Sequence, residues 1–208
     1  MAHHQRLRPA KRYSDLPASS HNFDNVPVRL IHAAWNALFS REPEQISLRE
    51  LAAEVGVSQP AAYNHFQDKH ALFASVADAG LGTLASHVEL LIPADSDSVK
   101  GILRGLCDAW ISFGKKRPRH FALMFSIDFM DPARFPEITA RRDRLTRFLE
   151  VVVEQELGFK PKPGQGQILH ALLHGAASIA ASGGPDVPVA AVLEAIQLHL
   201  AGLKDKHR

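Results

Sequence analysis

From residue 47 onward the apolar positions of this chain recur three and four apart, the period of a helix and not of a strand. The clearest instance is SLRELAAEVGVSQPAAYNHF, residues 47–66. Ser47 is placed to cap a helix, with Glu50 three residues on to complete a capping box. Leu48, Leu51, Ala52 and Val55 then form one apolar face, and Gly56 stands where a left-handed residue ends a helix at least cost. Ser58 opens a second helix with Pro60 in its first turn, where a missing N–H is harmless. Ala62 and Phe66 face inward, which leaves Gln59, Pro60, Ala61, Tyr63 and Asn64 towards the outside. Two short helices meeting at a glycine turn are the pattern of a DNA-binding helix-turn-helix. An ordinary helical hairpin shares the capping and the spacing. The polar break over 67–70, with Lys69 placed for a phosphate contact, favours the DNA reader.

Behind this motif the pattern predicts helices over 68–92, 98–116, 118–129, 136–157, 167–182 and 188–203. The breaks fall at Pro93 and its polar neighbours, at Asp131 and Pro132, over 158–166, and at Gly183, Gly184 and Pro185. No strand alternation or hairpin pattern interrupts the series. The expected fold is all-α, with about nine helices. Residues 1–25 show no periodicity and read as a flexible arm, in which Arg6, Arg8, Lys11 and Arg12 form a basic cluster without an acid among them. Such an arm either reaches DNA or is a solvated tail.

Composition narrows the function classes. The chain has 208 residues, 46% of them hydrophobic, enough for a core without staples. A formal charge of +2 excludes a uniformly basic nucleic-acid coat, so DNA affinity has to come from a local surface. The single cysteine, Cys107, forms no intramolecular disulfide and sits among apolar neighbours as a small packing residue. No bilayer span or leader peptide is read from the apolar runs, and a cytoplasmic location without a membrane partner is expected. No nucleophile–base spacing, phosphate loop or metal motif is present, so neither enzyme activity, nor a cofactor, nor a metal is expected.

The stretch GVSQPAAYNHFQDKHALFASV resembles the N-terminal domain of TetR-type transcriptional regulators. Gly56, Val57, Ser58, Tyr63, His65, Phe66, Lys69, Leu72 and Phe73 fall on that family's pattern, and the resemblance covers residues 26–79. It implies a first helix over 27–40 with Leu30, Ile31, Ala34, Leu38 and Phe39 buried. It also implies phosphate contacts at Ser47, Tyr63 and Lys69 and base-edge contacts near Gln59 and Pro60. With their neighbours Arg49, Ser58, Ala61, Asn64 and His65 these make the candidate DNA-binding set. The expected organisation is an arm over 1–25, a helix-turn-helix domain over 26–72, and a helical effector-binding and dimerisation domain over 73–208.

The second half resembles a TetR subgroup named for a Trp and a His-Gly pair on the penultimate helix. His174 and Gly175 match the pair, and His170 stands at the Trp position. Residues 119–125, with Leu123, Met124 and Phe125, resemble that subgroup too. Residues 167–182 are apolar over well over half the helix circumference, which points to a four-helix homodimer interface or to a buried hairpin in a monomer. The candidate interface is Leu169, Leu172, Leu173, Ala176, Ile179, Leu193, Ile196 and Leu200. Rings at helical spacing form either plain core or a cavity lining. The resemblance implies that Trp110, Phe113, Phe121, Met124, Phe125, Phe129 and Phe148, with His170 and His174 as polar anchors, enclose a small-molecule effector. The expectation is a dimeric regulator of operator DNA, a repressor relieved by an effector. The other reading is a ligand-sensing module that binds a protein partner instead of DNA.

Overall fold

The structure, a computed structural model, describes residues 25–91, 99–129 and 131–207. Among these run nine α-helices and two single 3-10 turns, with no strand. The helices are α1 Val26–Ala37, α2 Leu48–Glu54, α3 Gln59–His65, α4 Lys69–Leu91, α5 Val99–Lys116, α6 Pro118–Met124, α7 Pro136–Leu157, α8 Gln165–Ala181 and α9 Val189–Asp205. The basic arm, apart from Asn25, and the break after α4 lie outside the described residues.

Helices α1, α2 and α3 close over a small core of Leu30, Ala34, Leu38, Leu48, Leu51, Ala52, Ala62 and Phe66. Arg29 of α1 donates to the Val55 carbonyl and so holds the frayed end of α2, a link the spacing of apolar residues does not reveal. α4 starts where Asp68 Oδ1 accepts from the Ala71 N–H at 2.8 Å. Its first turns pack on the small core and its later turns enter the body, where it touches α5, α6 and α7. By length and composition the stretch Lys69–Val88 is apolar enough to cross a membrane, contrary to the expectation that no such run exists. Over half of that stretch is buried inside the molecule, as a shared core helix requires.

Several boundaries differ from expectation, and three of them are informative. α1 stops at Ala37, three residues early, so Phe39 leaves the apolar face and stands 53% exposed while Trp35 fills the buried position. The helix expected over 118–129 ends at Met124. There the Ser126 hydroxyl accepts the Asp128 N–H and donates to the Asp128 carboxylate, a local turn that competes with helix continuation. α8 begins at Gln165, two residues before the expected start, because the chain has already turned at Pro163 and Gly164.

The body is built on a close crossing of α5 and α8. A Cβ on Gly114 would stand 2.5 Å from the Ala177 carbonyl oxygen, so only glycine permits this separation. Gly114→Ala is therefore expected to lower the unfolding free energy by roughly 1–3 kcal/mol. A urea melt checks it; an unchanged midpoint would show that the two helices are free to separate.

Candidate nucleic-acid interface and effector domain

The helix-turn-helix is held by its own side chains. Ser47 Oγ accepts the Glu50 N–H at 3.2 Å and Glu50 Oε2 accepts the Ser47 N–H at 3.1 Å. Arg41 adds a 3.0 Å contact to the same carboxylate. That guanidinium, then Ser47, holds the Glu50 carboxyl below its usual range. Gly56 takes φ +70° and lets Val57 N–H reach back to the Ala52 carbonyl at 2.9 Å, closing α2. Ser58 Oγ then accepts the Ala61 N–H at 3.3 Å and opens α3.

With Ala62 and Phe66 buried, α3 turns Gln59, Pro60, Tyr63, Asn64 and His65 to the outside on one short helix, with Ala61 half-buried. Arg49 and Ser58 are exposed beside them and Ser47 is half-buried at the start of α2. The structure thus brings the candidate DNA-binding set to one end of the molecule. Lys69 differs from a free cation. Its ammonium donates to the Glu44 carbonyl at 3.1 Å and lies 5.6 Å from the centre of the Phe73 ring.

α6 joins this end to the body, a role no spacing in the sequence predicts. His120 is 2% exposed and its Nε2 donates to the Trp35 carbonyl of α1 at 2.9 Å, with its ring 4.2 Å from Trp35 and 4.7 Å from Phe39. Arg119 donates to the Phe39 carbonyl at 3.1 Å and pairs with Glu42. It is no solvated helix end, as its run of basic neighbours suggests. Arg141 and Arg142 of α7 also face inward. Arg141 binds both carboxylate oxygens of Asp78 on α4, and Arg142 donates to the Met124 and Phe129 carbonyls. Arg134 pairs with Asp68 at 2.7 Å. These arginines follow the helical period of α7 exactly as solvated ones would, which is why sequence spacing misplaces them.

The other face of α6 meets the aromatic cluster. Trp110, Phe113, Phe121, Met124 and Phe129 are buried, while Phe125, Phe148, His170 and His174 are half-buried. The Phe121 ring stacks on His174 at 5.2 Å, Phe125 lies 4.6 Å from His174 and 5.5 Å from His170, and Trp110 meets His170 edge-on at 6.4 Å. The candidate effector residues therefore form packed core here, with ring against ring. A cleft of about 540 Å³ lies elsewhere, between Val28 and Ile31 of α1, the small side of α4 and Phe135 and Ile138 of α7, and none of the nine lines it. Cys107 is fully buried, and burial, then Asp108, pushes its thiol up to about 12, so it packs as an apolar residue.

The candidate dimer residues need correction. Leu169, Leu173, Ala176, Leu193, Ile196 and Leu200 are buried within the single chain, because α8 and α9 turn them onto α5 and α7. Leu172 is half-buried and Ile179 is 46% exposed. The outward faces of the pair carry Ile168, Leu172, Gly175 and Ile179 on α8 and Leu198 and Gly202 on α9.

Comparison with known proteins accounts for both ends. Residues 30–76 match the family described as bacterial regulatory proteins, tetR family, and residues 103–203 match the tetracyclin repressor-like C-terminal domain. The chain belongs to the TetR family. The TetR fold is also seen in a protein of unknown function from Rhodococcus sp. RHA1, at a TM-score of 0.70 and 26% identity, covering 86% of this chain and 95% of that one. Nucleoid occlusion factor SlmA of Photorhabdus laumondii subsp. laumondii is 29% identical over 123 residues, 59% of this chain and 60% of that protein. The tetracycline repressor protein class A of Escherichia coli is 34% identical over 79 residues, 38% of this chain and 35% of that protein. The aligned stretches thus span less than two thirds of these relatives. As a TetR-family transcriptional regulator, this protein is a DNA-binding protein with a helix-turn-helix domain and a helical C-terminal domain.

The buried histidines give this regulator an acid-sensitive stability. Burial, above all, holds His120 and His170 down to about 4. Below their ordinary range near 6.5 the unfolded chain takes up protons that the folded chain refuses. Stability from these two groups is thus intact above about pH 6.5, falls as pH drops towards 4, and levels beneath it. Each contributes at most about 1.4 kcal/mol per pH unit. Urea melts across that window should show the loss, and His120→Gln, which keeps a donor for the Trp35 carbonyl, should flatten it. Parallel profiles for the two proteins would count against the assignment.

Proposed function

We propose that this TetR-family regulator is a homodimeric repressor acting in the cytoplasm, whose hold on a palindromic operator is relieved by a small molecule. The exposed face of α3, on a helix capped at its start and anchored from beneath, is the observation that carries this reading. Gln59, Pro60, Ala61 and Asn64 enter the major groove. Tyr63, His65, Ser47, Ser58 and Arg49 flank them towards phosphates. Lys69 spends one of its three protons on Glu44 and keeps two N–H bonds for a phosphate oxygen.

Two copies have to present α3 to half-sites about 34–36 Å apart or a multiple of that, so the dimer sets the operator. The outward stripe of α8 and α9 supports this, because Gly175 and Gly202 have open space where a Cβ would stand and Ile168, Ile179 and Leu198 are exposed beside them. Helices from two subunits can approach closely there and form a four-helix interface. The effector enters among the aromatic side chains that contact α6. Moving α6 disturbs His120 and Arg119 on α1, while α4 carries the displacement through its core contacts. The separation of the recognition helices then changes.

Selection of bound duplexes from a random pool by the purified protein tests the reading. One recovered palindrome is the expected result; no enrichment from folded, dimeric protein would overturn it and favour a protein partner for α3. On that operator Lys69→Ala should weaken binding and lower the salt slope by about one unit. An unaltered slope would remove Lys69 from the phosphate contacts. Leu198→Glu should shift sedimentation from dimer to monomer and abolish tight operator binding. A variant that stays dimeric would place the interface on another face.

A further inference from the structure

Three polar atoms sit unsatisfied within the aromatic cluster. Trp110 Nε1, His170 Nε2 and His174 Nδ1 are each buried and have no hydrogen-bond partner. Trp110 is fully buried on α5, and the two histidines stand one turn apart on α8 with ring centres 5.9 Å apart, too far and too nearly perpendicular to serve each other. Buried polar groups in native proteins find partners, and three failures in one neighbourhood mark a place where a partner is missing. The indole N–H is donor only, so the missing group opposite it is an acceptor. Burial keeps both imidazoles neutral at pH 7, each with one N–H to give. Arg142 is the cation that bears on His170.

We propose that Trp110, His170 and His174 form the recognition site for an effector that carries a hydrogen-bond-accepting oxygen, a carbonyl or a carboxylate, on an aromatic or apolar body. This rests on the reading that the C-terminal domain receives an effector. The half-buried Phe125 ring covers both histidines, and the helix ends at the residue before it. Swinging that ring away opens space for the apolar body, and the oxygen accepts hydrogen bonds from the indole N–H and one imidazole N–H. The displaced ring belongs to the same short segment whose His120 and Arg119 hold α1. Occupation of the site is thereby felt at the helix-turn-helix.

The test uses the full-length dimer with its two tryptophans labelled by ¹⁵N at the indole, Trp35 serving as internal control. Three probes of one shape are titrated to millimolar concentration: acetophenone, benzoate and ethylbenzene. The expected result is that acetophenone or benzoate binds about ten-fold or more tighter than ethylbenzene and moves the Trp110 N–H resonance downfield. Which of the two binds tighter separates a neutral carbonyl from a carboxylate. Trp110→Phe should abolish the preference over ethylbenzene while circular dichroism reports the same helical content. If ethylbenzene binds as tightly as both others, the acceptor requirement falls and the effector reading stands with an apolar ligand. If no probe moves the Trp110 resonance, the site itself falls. The effector reading falls separately, when no molecule of a broad screen releases the selected operator.

Discussion

α4 has to bury apolar side chains on most of its circumference, and every other placement in the molecule follows from where it finds cover. Leu72, Phe73 and Val76 at its start and Leu81, Leu84 and Val88 further on are buried, and the helix packs on α1 at one end and on α5, α6 and α7 in the body. Burying each such side chain is worth about 1.5–3 kcal/mol relative to leaving it in water. The helix cannot give up either set of partners without exposing a contiguous apolar strip. The DNA-binding end and the body therefore share one continuous core, joined through α4. On the proposed effector reading, α4 is the element through which a change in the body would be passed to α3, because close-packed contacts do not deform continuously.

α6 supplies a second connection of a different physical kind. Hydrophobic burial along α4 is non-directional and tolerates small slides. The His120 bond to the Trp35 carbonyl is directional and fails within a fraction of an ångström. Breaking it strands a buried imidazole, which costs more than the bond contributes when made. The same is true, more weakly, of Arg119 on the Phe39 carbonyl, because that pair is nearer solvent. α4 thus joins the two ends by burial, and α6 joins them by directional hydrogen bonds. The ion pair of Arg141 with Asp78 holds α7 to α4, the pair of Arg134 with Asp68 joins the residues just before these two helices, and Arg142 holds α7 to the end of α6 through the Met124 carbonyl.

Most of the architecture was legible because it is local. Capping residues, the Gly56 turn and the helical period are properties of adjacent residues, and the starts of α6 and α7 follow from Pro118 and Pro136 and the end of α7 from Gly158. What escaped is non-local. Phe39 is apolar and in phase with α1, and nothing near it in sequence says that the helix stops two residues earlier. Arg29, Arg119, Arg141 and Arg142 have the spacing of solvated cations, and their partners lie 13 to 80 residues away. In α8 and α9 the sequence located the apolar faces but not which of them the chain's own α5 and α7 would consume. For the same reason the aromatic cluster was legible as a group of rings but not as rings in contact. The exposed face of α3 was legible but for Ala61, which is half-buried, since the inward Ala62 and the inward Phe66 just past its end fix the direction of the others.

The unsatisfied atoms at Trp110, His170 and His174 bear on how such a molecule can be switched at all. To drive a two-state equilibrium from one setting almost wholly to the other, a ligand has to favour one setting by about 5.5 kcal/mol. A ligand that merely fills a ready-made cavity binds both settings alike and shifts nothing. Here the ground state leaves three buried polar groups without partners, at a cost of about 1–3 kcal/mol each. A ligand oxygen that satisfies them only after Phe125 has moved binds one setting and not the other. Part of the differential affinity is thus stored in the unliganded fold, beside the helix that also holds α1. An aromatic core fully satisfied in its resting state would pack better and respond less.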